Sequence, residues 1–128
     1  MEPDILVVDD SAAIRKILQR VLRQTGMLIG VIHEAGDGQE ALEKLKNGKV
    51  GLILSDINMP KMDGLQLLAA LRESTEWRNV PVIMITTEGG ETKVAEAVRR
   101  GASGYVRKPF TADQIKEKLS GILEAALP

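Results

Sequence analysis

The sequence predicts an α/β protein, a single domain with a doubly wound, five-stranded parallel sheet and helices on both faces. Three observations carry this. Short apolar runs rich in branched residues recur five times, and segments with helical apolar spacing separate them. Three of the runs do not alternate with polar residues, as expected for central strands covered on both faces.

The first run is "ILVV" at residues 5–8, closed by Asp9 and Asp10. Ile14, Ile17, Leu18, Val21 and Leu22 then follow the i, i+3, i+4, i+7, i+8 rule of an amphipathic helix, and Gly26 stands where that helix would stop. A second strand is expected over "LIGVI", residues 28–32, followed by a short helix marked by Ala41, Leu42 and Leu45. The third run, "GLILS" at 51–55, ends abruptly on Asp56, with Pro60 four residues on. Leu65, Leu68 and Leu71 mark the third helix, and "PVIMIT" at 81–86 the fourth strand, ending in Thr86. Trp77, in the polar stretch between them, is expected to anchor that connection by packing. Val94, Ala97 and Val98 form a weaker helical stripe closed by Gly101, and "GYV" at 104–106 leads to Lys108. The last helix opens with Thr111 and Gln114 in capping-box spacing and carries Ile115, Leu119 and Ile122 on one face.

The bulk properties exclude several classes. A chain of 128 residues suits one domain and removes roughly two-thirds of its unfolded surface from water on folding. It has no cysteine, so neither disulfide nor thiolate chemistry is available, and a reducing, cytoplasmic setting is the default. The first apolar run is far too short for a signal peptide or membrane span. A net charge of −1 with both signs interspersed offers no basic footprint for nucleic acid and no polybasic membrane patch.

In a doubly wound sheet, ligands bind beyond the carboxyl ends of the strands, where the strand order reverses. If the order is the flavodoxin-like 2-1-3-4-5, the first and third strands are neighbours at that point. Asp9, Asp10 and Asp56 then converge, flanked by Thr86 and Lys108. Three carboxylates in one cleft repel one another unless a cation compensates. Mg²⁺ suits such a cleft, because it takes hard oxygen ligands and commonly uses one or two carboxylates beside a phosphate oxygen. Asp56 could then act as a nucleophile toward phosphorus, with Lys108 and Thr86 neutralising charge on the transferring oxygens. Taken singly, these residues have plainer readings: Asp9, Asp10 and Ser11 as a helix cap, Asp56 as a turn, and His33 as a polar position near the end of the second strand. Loops that merely need to be polar have no reason to gather three acids, a hydroxyl and a lysine on one sheet edge.

At this point "ILVVDDS", "SDINMPKMDGLQLL", "PVIMITTE" and "GASGYVRKPF" resemble the receiver domain of bacterial two-component response regulators, most closely its single-domain chemotaxis type. The resemblance implies that Asp56 accepts a phosphoryl group from the phosphohistidine of a histidine kinase. Asp9, Asp10, Asp56 and the backbone carbonyl of Asn58 would hold Mg²⁺. Lys108 would contact the phosphoryl, with a cis peptide to Pro109. Thr86 would move toward it, Tyr105 would turn inward, and the fourth helix, fifth strand and fifth helix would form the output face for a protein target such as the flagellar switch. Asn58 and Glu88 would flank the path of the water that removes the phosphoryl. The expected protein is thus one receiver domain over 1–128 with no output domain. It is monomeric, with dimerisation on activation left open, and not an enzyme beyond its own phosphorylation and dephosphorylation. A receiver from a larger regulator and a Mg²⁺-dependent phosphohydrolase with an aspartate nucleophile are the alternatives. A flavin carrier of the same fold would want a neutral, glycine-rich first loop and aromatics for stacking, and "DDSAAIRK" is neither.

Overall fold

The structure, a computed structural model, describes residues 2–87 and 91–126. Five β/α pairs follow one another: β1 (Ile5–Val8), α1 (Ala12–Gln24), β2 (Ile32–Ala35), α2 (Gly38–Lys46), β3 (Leu52–Asp56), α3 (Gly64–Glu73), β4 (Val82–Thr86), α4 (Glu91–Arg99), β5 (Gly104–Arg107) and α5 (Ala112–Ala126). All strand pairs are parallel and the sheet order is β2-β1-β3-β4-β5. The doubly wound fold and its reversal point between β1 and β3 are therefore as expected.

The non-alternating strands are explained by two cores. Ile5, Val7, Leu52, Leu54, Ile83 and Ile85 point to one face, where Leu18, Leu22, Ile115 and Leu119 of α1 and α5 cover them. Leu6, Val8, Ile53 and Met84 point to the other face, under Ala41, Leu67, Leu68, Leu71 and Ala97 of α2, α3 and α4. Successive side chains of a strand alternate faces, so a strand roofed on both sides must be apolar throughout. Each buried aliphatic side chain contributes about 1.5–3 kcal/mol relative to exposure, and the aliphatic side chains of β1, β3 and β4 are all buried. Trp77 packs half-buried against the second core, as its position suggested.

Helix ends follow local chemistry. Ser11 caps α1 through a bond from the Ile14 amide, and Gly26 leaves the helix at a φ of 72° that only glycine adopts cheaply. Asp63 and Gln66 form a reciprocal capping box at α3, and Thr111 and Gln114 do the same at α5, with bonds of 2.9 and 3.1 Å.

The second strand corrects the sequence reading. The apolar run 28–32 lies mostly before it, and β2 is instead Ile32–Ala35, with Ile5 opposite Ile32 and Val8 opposite Ala35. Leu28 and Val31 are 77% and 58% exposed. An edge strand pairs on one side only, so it does not need a continuous apolar run, and "IHEA" suffices. His33 consequently sits in mid-strand, where its Nε2 lies 3.1 Å from Asp4 Oδ2 and ties β2 to the start of β1.

Candidate functional site: an acidic cleft at the sheet's carboxyl edge

Parallel pairing aligns the ends of β1 and β3, with Val8 opposite Ser55, so the residues that follow on each strand emerge side by side. Carboxylate oxygens of Asp9, Asp10 and Asp56 lie within 4.8 Å of one another. Asp9 and Asp56 are buried, whereas Asp10 is exposed at the mouth. Lys108, just beyond β5, reaches in from the side: its ammonium is 3.0 Å from Asp9 Oδ2 and 3.5 Å from Asp56 Oδ2. The Lys108–Pro109 peptide is cis, and the Lys108 amide donates to the Thr86 carbonyl at 2.6 Å.

The acids are held by backbone donors as well. The Ser11 amide donates to Asp9 Oδ1 at 2.9 Å and the Ile57 amide to Asp56 Oδ1 at 2.8 Å. Burial pushes the Asp56 carboxyl above its ordinary value; the Lys108 charge works against this and the Asp9 charge with it. Gly64, at the start of α3, lets the chain pass directly under this aspartate. A Cβ there would run into the Asp56 carbonyl and come within 2.8 Å of Met84 Cε and 2.9 Å of Ile57 Cα.

The donor set suits a hard divalent cation: three carboxylates are offset by one ammonium, and one acid faces the opening. Of the residues singled out from the sequence, the structure brings together Asp9, Asp10, Asp56 and Lys108. Thr86 is buried at the end of β4, with its hydroxyl donating to the Thr87 carbonyl at 3.2 Å. Tyr105 is 38% exposed on β5 with the Lys118 ammonium 5.7 Å from its ring centre. The exposed side chain of Asn58 accepts a bond from Lys93 Nζ at 2.5 Å, and Glu88 lies outside the described residues. Sequence reading missed the Lys93 contact, because nothing local links residues so far apart.

Fold and cleft together define a doubly wound α/β domain built around an acidic, lysine-bridged centre whose three carboxylates could hold a metal ion. The chain belongs to the response regulator receiver domain family, which matches it over residues 5–120. It is 42% identical over 120 residues to the chemotaxis protein CheY-3 of Vibrio cholerae, covering 94% of this chain and 91% of that one. It is likewise 42% identical over 120 residues to CheY1 of Helicobacter pylori, covering 93% and 95%. Among solved structures, the chemotaxis response regulator CheY4 of Vibrio cholerae superposes with a TM-score of 0.78 at 34% identity, covering 99% of this chain and 100% of that one. Two-component signalling, with chemotaxis homologues, is thereby its class.

Proposed function

We propose that this domain is a phosphoacceptor switch of a chemotaxis-type two-component system. The observation that carries the proposal is the convergence of three carboxylates within 4.8 Å under a lysine ammonium. In the reaction, an Asp56 oxygen attacks the phosphorus of a kinase phosphohistidine. The new O–P bond forms as the N–P bond breaks, and its electron pair leaves with the imidazole. Asp9, Asp10, Asp56 and the Asn58 carbonyl would hold Mg²⁺, which when bound supplies positive charge to the phosphoryl oxygens. Lys108 supplies a second positive charge and is already aimed at the Asp56 oxygen that does not take the Ile57 amide bond.

Thr86 supports the switch. Among the described residues its hydroxyl is bonded to the neighbouring Thr87 carbonyl, and it turns toward the phosphoryl oxygens once they are present, vacating space that Tyr105 enters from the surface. A hydrogen bond to a charged group contributes about 1.5–3 kcal/mol. Two such bonds, from Thr86 and Lys108, are of the order of the roughly 5.5 kcal/mol needed to move a two-state equilibrium from one extreme to the other. The responding face, α4, β5 and α5, would bind a downstream protein such as a flagellar switch component. Asn58 and Glu88 would govern water access and hence a short phosphoryl lifetime. The setting of such a switch is the cytoplasm, and it works as a monomer or dimerises on activation. No helix among the described residues is long and apolar enough to cross a membrane.

The test is localisation of the phosphoryl. Borohydride reduces an acyl phosphate to an alcohol, so peptide mapping of the reduced phosphoprotein should find homoserine at position 56. Homoserine at position 9 or 10 instead would assign the chemistry to another carboxylate and contradict the proposal.

A further inference from the structure

Arg15 lies on the first turns of α1, outside the acid cluster, and the phosphoryl chemistry gives it no task. Its side chain is nevertheless only 19% exposed and is used twice. Nη1 donates to the backbone carbonyl of Asp9 at 2.6 Å, and Nε donates to Glu34 Oε1 on β2 at 3.0 Å. The Arg15 bond, with a smaller contribution from Gln19, holds the Glu34 carboxyl below its ordinary value. The anchor is therefore a charged, hydrogen-bonded one.

The carbonyl that Arg15 holds belongs to the peptide joining Asp9 to Asp10. Asp9 is otherwise fixed at its amide, which donates to the Ala35 carbonyl at 3.1 Å, and at its carboxylate, by Ser11 and Lys108. Those contacts set the Asp9 side chain. The orientation of the following peptide plane, and with it the direction in which the exposed Asp10 carboxylate leaves the chain, depends on the carbonyl. We propose that Arg15, steadied by Glu34, is a positioning residue for the cation site, setting the Asp9–Asp10 peptide so that Asp10 converges with Asp9 and Asp56. This rests on reading the cleft as a Mg²⁺-assisted phosphoacceptor site.

Positioning by Arg15 and simple electrostatics predict opposite changes in Mg²⁺ affinity when Arg15 is lost. A cation near the cleft repels Mg²⁺, so if Arg15 were merely a nearby charge, its removal would tighten binding. Loss of a residue that orients a metal ligand weakens binding, typically by tenfold or more. Calorimetric titration of the metal-free protein with MgCl₂ distinguishes the two, using wild type, Arg15→Met, Arg15→Lys and Glu34→Gln. Thermal unfolding is recorded alongside, and the Asp10 and Ser11 amide resonances are followed without metal. We expect Kd for Mg²⁺ to rise about tenfold in Arg15→Met, less in Arg15→Lys, which cannot serve both acceptors, and several-fold in Glu34→Gln. The Asp10 amide resonance should move in all three before any metal is added. An unchanged or lower Kd in Arg15→Met overturns the positioning role. If Arg15→Met does not fold, the Arg15→Lys titration decides alone: it keeps the charge, so electrostatics leaves Kd unchanged, whereas loss of one of the two Arg15 bonds raises it. A folded wild type that takes up no Mg²⁺ instead refutes the cleft reading itself, and the positioning role falls with it.

Discussion

Replacing Lys108 with Met isolates the electrostatics of the cleft. The ammonium lies 3.0 Å from Asp9 Oδ2 and 3.5 Å from Asp56 Oδ2, and at an effective dielectric of about 20 each contact corresponds to roughly 5 kcal/mol. Desolvating an ammonium that is 18% exposed and carboxylates that are 2% and 11% exposed cancels most of that attraction. What the variant forfeits is the cost of leaving charges buried without a partner, about 3–5 kcal/mol, and the residual exposure of Lys108 puts the expectation near the lower figure. For a domain of this size that is a fall in Tm of about 12 °C at pH 7 without metal. The variant should then respond more strongly to Mg²⁺ than wild type, since a cation entering its cleft meets no competing ammonium. Acidification should narrow the deficit, because the Asp56 carboxyl, pushed up by burial, no longer needs Lys108 once protonated. Calorimetry in chelator and in saturating Mg²⁺ reads each of these shifts. A Tm within about 2 °C of wild type, which is below 1 kcal/mol, together with the same Mg²⁺ response, would refute the claim that Lys108 neutralises the buried acids.

Asp56→Asn should abolish phosphorylation and, without metal, raise stability at neutral pH. The wild-type carboxyl is pushed up by burial, so its folded state keeps the proton longer than the unfolded chain, and stability falls as pH rises from about 3.9 through the folded value. The advantage of the variant should therefore vanish in acid, and an advantage independent of pH would contradict the assignment. Gly64→Ala forces a methyl group against the Asp56 carbonyl, Met84 and Ile57; a loss of about 1–3 kcal/mol in denaturant unfolding is expected, with slower phosphorylation, and wild-type values for both would show that the approach is slack. Thr86→Ala should still be phosphorylated but lose most of the response. If the phosphorylated variant shows wild-type changes in Tyr105 environment by NMR, Thr86 is not the coupling residue.

How much of this was legible in the sequence depends on how local each signal was. Four strands and five helices were readable because their apolar periodicity or two-sided burial is written into consecutive residues, and Asp9, Asp10, Asp56 and Lys108 because each closes such a run. The second strand was displaced because an edge strand with one pairing partner is not required to be apolar, so the run at 28–32 outweighed "IHEA". That displacement also hid Arg15: only the register Ile5 to Ile32 brings Glu34 within its reach. The Lys93 bond to Asn58 is likewise set by the packing of α4 and by nothing in either neighbourhood. Side chains that close runs declare themselves, whereas those that hold them in place through another element do not.

Phosphorylation of Asp56 is tested most directly by the intact mass of wild type and Asp56→Asn after incubation with a small acyl-phosphate donor, with and without Mg²⁺. Wild type should gain one phosphoryl, only when the metal is present, and Asp56→Asn none. Equal addition to both proteins, or none to a folded wild type in Mg²⁺, would contradict it.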